Sequence, residues 1–191
     1  MIFVATPLAG VVLVEAEPHR DERGSFARLW CAEEFARAGL DGRFVQSSIS
    51  TNARKHTVRG LHYAAAPSRE AKLVRVTAGA VFDVVVDLRE ESPTYGETFA
   101  AELDAASVRA LYVPPGCAHG FQTLADATDV LYCMTEAYEA SLARAYHWRS
   151  PQLAIRWPST GAGVTISDAD ANAVTFERRA TPRRGAAPRS G

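Results

Sequence analysis

Residues 72–88 read KLVRVTAGAVFDVVVDL, two runs rich in β-branched residues (72–78 and 80–88) on either side of Gly79. Branched side chains are stiff at χ1 and fit a pleated surface, so both runs read as strands. Side chains alternate between the faces of a strand. Lys72 therefore falls on the face of Val74 and Val76, and Asp83 and Asp87 share a face with Val81 and Val85. Charges on an apolar face have two readings. Either the face is the half-exposed outside of a sheet, or it is an interior in which each charge is paired or lines a solvated pocket, because an unpaired buried charge is costly. Several such residues in consecutive strands favour the second.

Further strand-forming runs lie outward from this stretch: VVLVEA (11–16), RFVQSSIST (43–51), ALYVPPG (110–116) and DVLYCMTEAY (129–138). Turn-forming groups separate them, namely DERGS (21–25), PSRE (67–70), ESPTYGE (91–97) and PPGCAHG (114–120). One helix is expected over CAEEFARAGL (31–40), with Glu33 and Glu34 in its first turn and Gly39 near its end. Many short strands with regular turns indicate a sandwich or barrel of antiparallel strands, mainly β with few helices. The chain reads as one domain over residues 1–176. A tail follows over 177–191, rich in Arg, Pro and Gly, and its composition predicts disorder.

Hydrophobic residues make up 47% of the 191 and charged residues 23%, enough apolar matter for a real core. The formal net charge of −1 gives no basic field for a nucleic-acid partner. Three cysteines (Cys31, Cys117, Cys133) without CxxC spacing argue against a disulfide framework or structural zinc, and for small buried side chains in a reducing compartment. The apolar start MIFVATPLAGVVLVEAEP has no Lys or Arg before Arg20 and is interrupted by Pro7 and Gly10. It is expected to form strand rather than a signal sequence or membrane span, in a cytoplasmic protein.

The stretch TVRGLHYAAAP (57–67) reads as strand yet carries Arg59, Gly60 and His62. His62 shares its face with Val58 and Gly60, whereas Arg59 nominally points the other way. If Arg59 and His62 serve one site, Gly60 must allow a bulge or twist between them. Singly, each polar residue also has a structural role open to it. His62 fits a hydrogen-bonded core histidine, His119 a stabiliser of the PPGCAHGF turn, and Tyr132 a core aromatic whose hydroxyl finds a partner.

Taken together, DERGSF, FVQSSIS, VRGLHY, AKLVRVTAGAVFDVVVDLR, SPTYG, LYVPPGCAHGFQTL, VLYCMTEAY and IRWP, in this order across roughly residues 10 to 170, resemble the dTDP-4-dehydrorhamnose 3,5-epimerase family of the cupin superfamily. The resemblance implies a jelly-roll barrel, a homodimer, and a site without metal or other cofactor that acts on a nucleotide-linked 4-keto-6-deoxyhexose. Under it His62 matches the general base, Asp170 in ISDADANA the aspartate that pairs with it, and Tyr132 the acid. Asp168 is the nearby alternative to Asp170. Arg23, Phe26, Gln46, Arg59, Lys72 and His119 match substrate-binding positions, and Tyr138 another position lining the site.

The chemistry such a site needs is coherent. A C4 ketone acidifies the hydrogens at C3 and C5, and the enolate formed on their removal needs its oxygen stabilised. A neutral histidine takes the proton while a carboxylate fixes its tautomer. Lys72 is a cation for the enolate oxygen or for phosphate, and Tyr132 returns a proton from the opposite face, with Lys72 counted among the catalytic groups. Arg59 and Arg23 are suited to grip a diphosphate. The chain departs from the family pattern at Ala64, where glutamine is common, at Ser47 and Ser48 after FVQ, and at Arg28. The segment EASLARAYHW (139–148) also lacks the usual Tyr-Ser-Pro and following Glu-Gly. These departures concern base recognition and the pocket wall, and so bear on which sugar is used and which centre is inverted. The HxH-plus-Glu set of metal-dependent cupin oxygenases and isomerases is absent, since Tyr63 and Ala64 follow His62 and Gly120 and Phe121 follow His119.

Overall fold

A computed structural model of the chain describes residues 1–179. Among these residues the strands are β1 (Ile2–Ala5), β2 (Val12–Glu15), β3 (His19–Asp21), β4 (Gly24–Phe26), β5 (Gln46–Asn52), β6 (Val58–Ala64), β7 (Lys72–Ala78), β8 (Ala80–Asp87), β9 (Thr98–Asp104), β10 (Arg109–Val113), β11 (Cys117–Thr123), β12 (Thr128–Met134) and β13 (Ala143–Ala145). Two short helices, α1 (Ala32–Arg37) and α2 (Asp168–Ala171), complete the framework. One sheet runs β1-β2-β10-β7-β12-β5 and a second runs β13-β6-β11-β8-β9, with β3 and β4 forming a separate hairpin. Neighbouring strands pair antiparallel throughout both large sheets. This is the jelly-roll barrel that the resemblance implies.

The barrel interior takes one face of each large sheet. Val74 and Val76 of β7, Leu111 and Val113 of β10 and Val130 of β12 meet Val81 and Val85 of β8, Leu103 of β9 and Phe121 of β11. The alternate face of β8, Val84 and Val86, is buried too, beneath Trp148, Leu153, Trp157 and Phe176 of the C-terminal segment. On the other sheet Phe35 of α1 covers Val14, Leu73, Ala110 and Tyr112. Burial on both faces explains why 80–88 reads as an almost unbroken apolar run instead of an alternating one.

The sequence expectations meet this fold with four adjustments. The helix, Ala32–Arg37, is about one turn shorter than the 31–40 run. Residues 98–104 form a strand that their mixed composition hides. His119 is not in a turn: residues 117–123 form β11, fully buried, because Gly116 ends the turn and the sheet continues on both sides of this strand. The fourth concerns the tail. Residues 180–191 lie outside the described part of the chain, but Arg178 N donates to Gln152 Oε1 at 2.6 Å and Arg179 Nη1 to Glu90 Oε1 at 2.7 Å, so chain contacts continue past residue 176.

Asp87, wholly buried, is answered from its own loop. Arg89 Nε and Nη2 approach its two oxygens at 2.8 and 2.7 Å, and Ser92 and Thr94 of the SPTYG motif add their hydroxyls. Burial alone raises a carboxyl pKa, yet these donors hold Asp87 down at about 2 from the ordinary 3.8. A group whose pKa falls on folding stabilises the fold above its unfolded value, and that stabilisation is lost as pH drops through the folded one. Asp87→Asn is therefore expected to cost about 2 kcal/mol at neutral pH, with the gap between parent and variant closing from about pH 4 towards pH 2. Urea denaturation across that range measures it, and a gap independent of pH contradicts the assignment.

Candidate active site

Strand β6 carries one more residue than its partner across the centre of the sheet. His119 of β11 faces His62 and Phe121 faces Arg59, so Gly120 alone on one strand opposes Gly60 and Leu61 on the other. The extra residue returns Arg59 and His62 to a common side, as the Gly60 reading required. Gly60 has φ +117°, and a Cβ there would lie 2.6 Å from Gly120 Cα and 2.8 Å from His119 O. Gly120 is equally constrained, since its own Cβ would sit 2.7 Å from Arg59 O. The bulge needs glycine on both strands.

His62, whose side chain is half exposed, meets Asp170 of α2 with Nε2 2.7 Å from Oδ1. The second carboxylate oxygen accepts from Gly60 N at 3.3 Å, and Ser167 caps the helix by accepting from Asp170 N. Burial works against the Asp170 charge. The His62 hydrogen bond and charge, with the Gly60 and Ser167 donors, outweigh it and hold the carboxyl below its ordinary pKa. Asp168 does not reach His62: it is exposed at the start of α2, where its carbonyl accepts from Asn172.

The opposite wall comes from the other sheet. Tyr132, Met134, Glu136 and Tyr138 continue a period of two along and beyond β12, and all four line a cleft of about 490 Å³ together with His62, Asp170, Lys72 and Gln46. Gln46 Oε1 also accepts from Tyr138 N at 2.8 Å, fixing that segment. The Tyr132 phenol pKa is pushed up, first by burial and then by the negative charge of Asp83, with Arg59 opposing. At neutral pH it holds its proton firmly. Lys72 Nζ lies 3.3 Å from Glu70 Oε1, both largely buried.

His119 lies beneath this cleft rather than on it. Its Nε2 is 2.9 and 3.0 Å from the Asp83 oxygens, diagonally across the β8–β11 pair, and its ring meets Tyr132 edge-on at 5.7 Å. Lys72, Asp83 and Asp87 are thus each paired, as interior charges must be. Arg59 donates from Nε to Asn52 Oδ1 at 2.8 Å and does not line the cleft. Arg23 and Phe26 depart further from the expected set. Both sit on the β3–β4 hairpin, which joins neither large sheet. Arg23 is tied to Asp21 within the hairpin, and Phe26 is 77% exposed. Neither reaches the cleft from its own chain.

Sequence reasoning missed Glu70, Glu136 and Arg144, which line the cleft as well. Glu136 was readable from its two-residue spacing to Tyr138, and Glu70 from the same spacing to Lys72. Arg144 sits in the segment where the chain leaves the family pattern, so no motif pointed to it. Among the described residues, no three His, Cys, Asp or Glu side chains are grouped to hold a metal ion.

The chain matches the family model for dTDP-4-dehydrorhamnose 3,5-epimerase over residues 5–178. The chain belongs to this family. It is 39% identical over 172 residues to the dTDP-4-dehydrorhamnose 3,5-epimerase of Sinorhizobium fredii, covering 90% of this chain and 88% of the relative. It is 38% identical over 165 residues to the dTDP-4-dehydrorhamnose 3-epimerase of Streptomyces niveus, covering 86% and 79%. The crystal structure of the 3,5-epimerase from Bacillus anthracis, with TDP and PPi bound, superposes with a TM-score of 0.88 at 35% identity, covering 92% of this chain and 99% of that one.

The bulge is the part of this epimerase-family site most open to a simple test. Gly60→Ala should cost about 2 kcal/mol or more of stability, from backbone strain and the clash with Gly120, and should lower turnover. Thermal or urea denaturation reads the first effect. A variant as stable and active as the parent contradicts the geometry.

Proposed function

We propose that the protein is a cofactor-independent epimerase of a dTDP-linked 4-keto-6-deoxyhexose, inverting C3, C5 or both in deoxysugar biosynthesis. The observation that carries this reading is one cleft with an aspartate-held imidazole on one wall and a firmly protonated phenol on the other. With Asp170 engaging one nitrogen, the second imidazole nitrogen of His62 takes the proton next to the C4 ketone. The C–H electron pair moves into the enolate, and Asp170 stabilises the imidazolium. Lys72 supplies the fixed positive charge for the enolate oxygen in a partly desolvated setting. Tyr132 then gives its proton to the carbon from the other face. Removal on one face and return on the other is inversion. His119 and Asp83 brace the Tyr132 ring from beneath.

The nucleotide assignment rests on the family, and TDP bound to the Bacillus anthracis relative supports it. Inversion at one centre only is a second reading, supported by a relative named a 3-epimerase at 38% identity, close to the 39% of one named a 3,5-epimerase. We also propose a homodimer. Ile2 and Val4 are exposed on the edge strand β1, and Phe26 is exposed on the hairpin. A second copy is the natural cover for these apolar groups, and it gives Arg23 and Phe26 a cleft to reach. The cytoplasm, where nucleotide sugars are made, is the proposed location. Among the described residues no helix is long and apolar enough to cross a membrane.

Incubation with dTDP-4-keto-6-deoxyglucose in heavy water, followed by NMR, tests the reaction. Deuterium is expected at C3, at C5 or at both, and the labelled positions tell the two readings apart. His62→Ala should lose about 10²-fold or more of turnover. Tyr132→Phe should lose inversion by a similar factor while retaining part of the hydrogen wash-out, since abstraction needs only His62. Either variant at full activity, or no label with the parent protein, refutes the assignment.

A further inference from the structure

Lys72 is the cation on which the proposed reaction depends, and its side chain is the most flexible of the groups involved. A four-carbon stem separates the ammonium from a backbone that the sheet fixes between Val113 of β10 and Met134 of β12. An ammonium free to wander meets the enolate oxygen only part of the time. Electrostatic stabilisation is strongest when the charge stands in place before the negative oxygen forms. The site therefore needs a group that holds Lys72.

Glu70 is placed to do so. Its Oε1 lies 3.3 Å from Lys72 Nζ, and the lysine and glutamate side chains are only 16% and 14% exposed. The other carboxylates lining the cleft are engaged elsewhere: Asp170 with His62 and Gly60 N, Glu136 with Ser68 Oγ and Arg69 N, and Glu139 with Ser141. Glu70 is itself set by a stitched turn. Its amide donates to Ser68 Oγ at 3.1 Å, and that hydroxyl donates to Glu136 Oε2 at 2.7 Å. Arg69 N is a second donor to Glu136, and Ala71 N donates to Thr135 Oγ1 at 2.8 Å. Residues 68–71 are thereby fastened to 135–136, which continue the strand that carries Tyr132. The cation and the acid take their positions from one scaffold.

We propose that Glu70 is a positioning residue that holds the Lys72 ammonium where the enolate oxygen forms, with Glu136 setting it through Ser68 and Arg69. The inference rests on the epimerase reading above and deepens it. The role needs an acceptor oxygen at the reach of Glu70, not its charge. A negative charge beside a developing enolate is unfavourable, and a glutamine amide offers the same acceptor without it.

Turnover of the full chain on dTDP-4-keto-6-deoxyglucose, followed by NMR in heavy water, tests it. Glu70→Ala should lower kcat about tenfold and leave KM within about twofold, because the enolate contact exists only in the transition state. Glu70→Gln, which keeps the acceptor, should recover kcat to within about threefold of the parent or above it. In a Lys72→Met background Glu70→Ala should change kcat by less than about twofold, since the group it positions is gone. Ser68→Ala, which loosens the turn and leaves both charges, should lower kcat about threefold, and it takes the place of Glu70→Ala if urea denaturation shows that variant unfolded. Parental kcat in the variant that decides, a glutamine variant as impaired as alanine, or an undiminished loss in the Lys72→Met background overturns the inference. While the parent labels its substrate and Lys72→Met loses turnover, those results leave the epimerase reading standing. A parent that yields no label overturns both.

Discussion

Two backbones touch where Gly60 of β6 crosses Gly120 of β11, with no room for a single methyl group between them. That approach lets β6 carry an extra residue without leaving the sheet. The extra residue in turn puts Arg59 and His62 on one side of a strand whose regular alternation would separate them. The same turn of backbone presents Gly60 N to Asp170, so the feature that aims the histidine also helps to place the carboxylate that holds it. The position of the base is a property of the sheet, not of a loop.

Around this crossing the fold tolerates charge in its interior by answering each group locally. Asp83 is answered by His119, and Asp87 by Arg89 and two hydroxyls of its own loop. The first of these pairs underlies Tyr132, whose ring edge meets His119. Its negative charge also makes loss of the phenolic proton harder. Structural burial and acid–base character are therefore one arrangement here: the interior that buries Asp83 also keeps the tyrosine a phenol.

Much of this was legible in the sequence. The alternation in 72–88 gave the correct faces for Lys72, Asp83 and Asp87, because the pleat enforces a period of two wherever the ladder is regular. The same rule misplaces Arg59 relative to His62, since a bulge breaks the period, and only Gly60 hinted at it. His119 was misread as part of a turn because PPG is a strong turn signal, and nothing local says how soon the strand resumes. Arg23 and Phe26 were placed in the site by their motif, yet whether a motif residue reaches a cleft of its own chain depends on tertiary placement. Arg144 carried no signal at all, since its position follows from the pairing of β13 with β6.

The His62–Asp170 bond spans 108 residues, joining a strand near the middle of the barrel to a helical turn after the last strand. During synthesis the base is made long before its partner. A nascent chain can therefore close most of the barrel while its imidazole still lacks the group that orients it. Competence arrives with the final short helix, in one step, once the C-terminal segment has wrapped the outer face of the second sheet. A molecule cut short before that helix would leave the imidazole without the carboxylate that holds it.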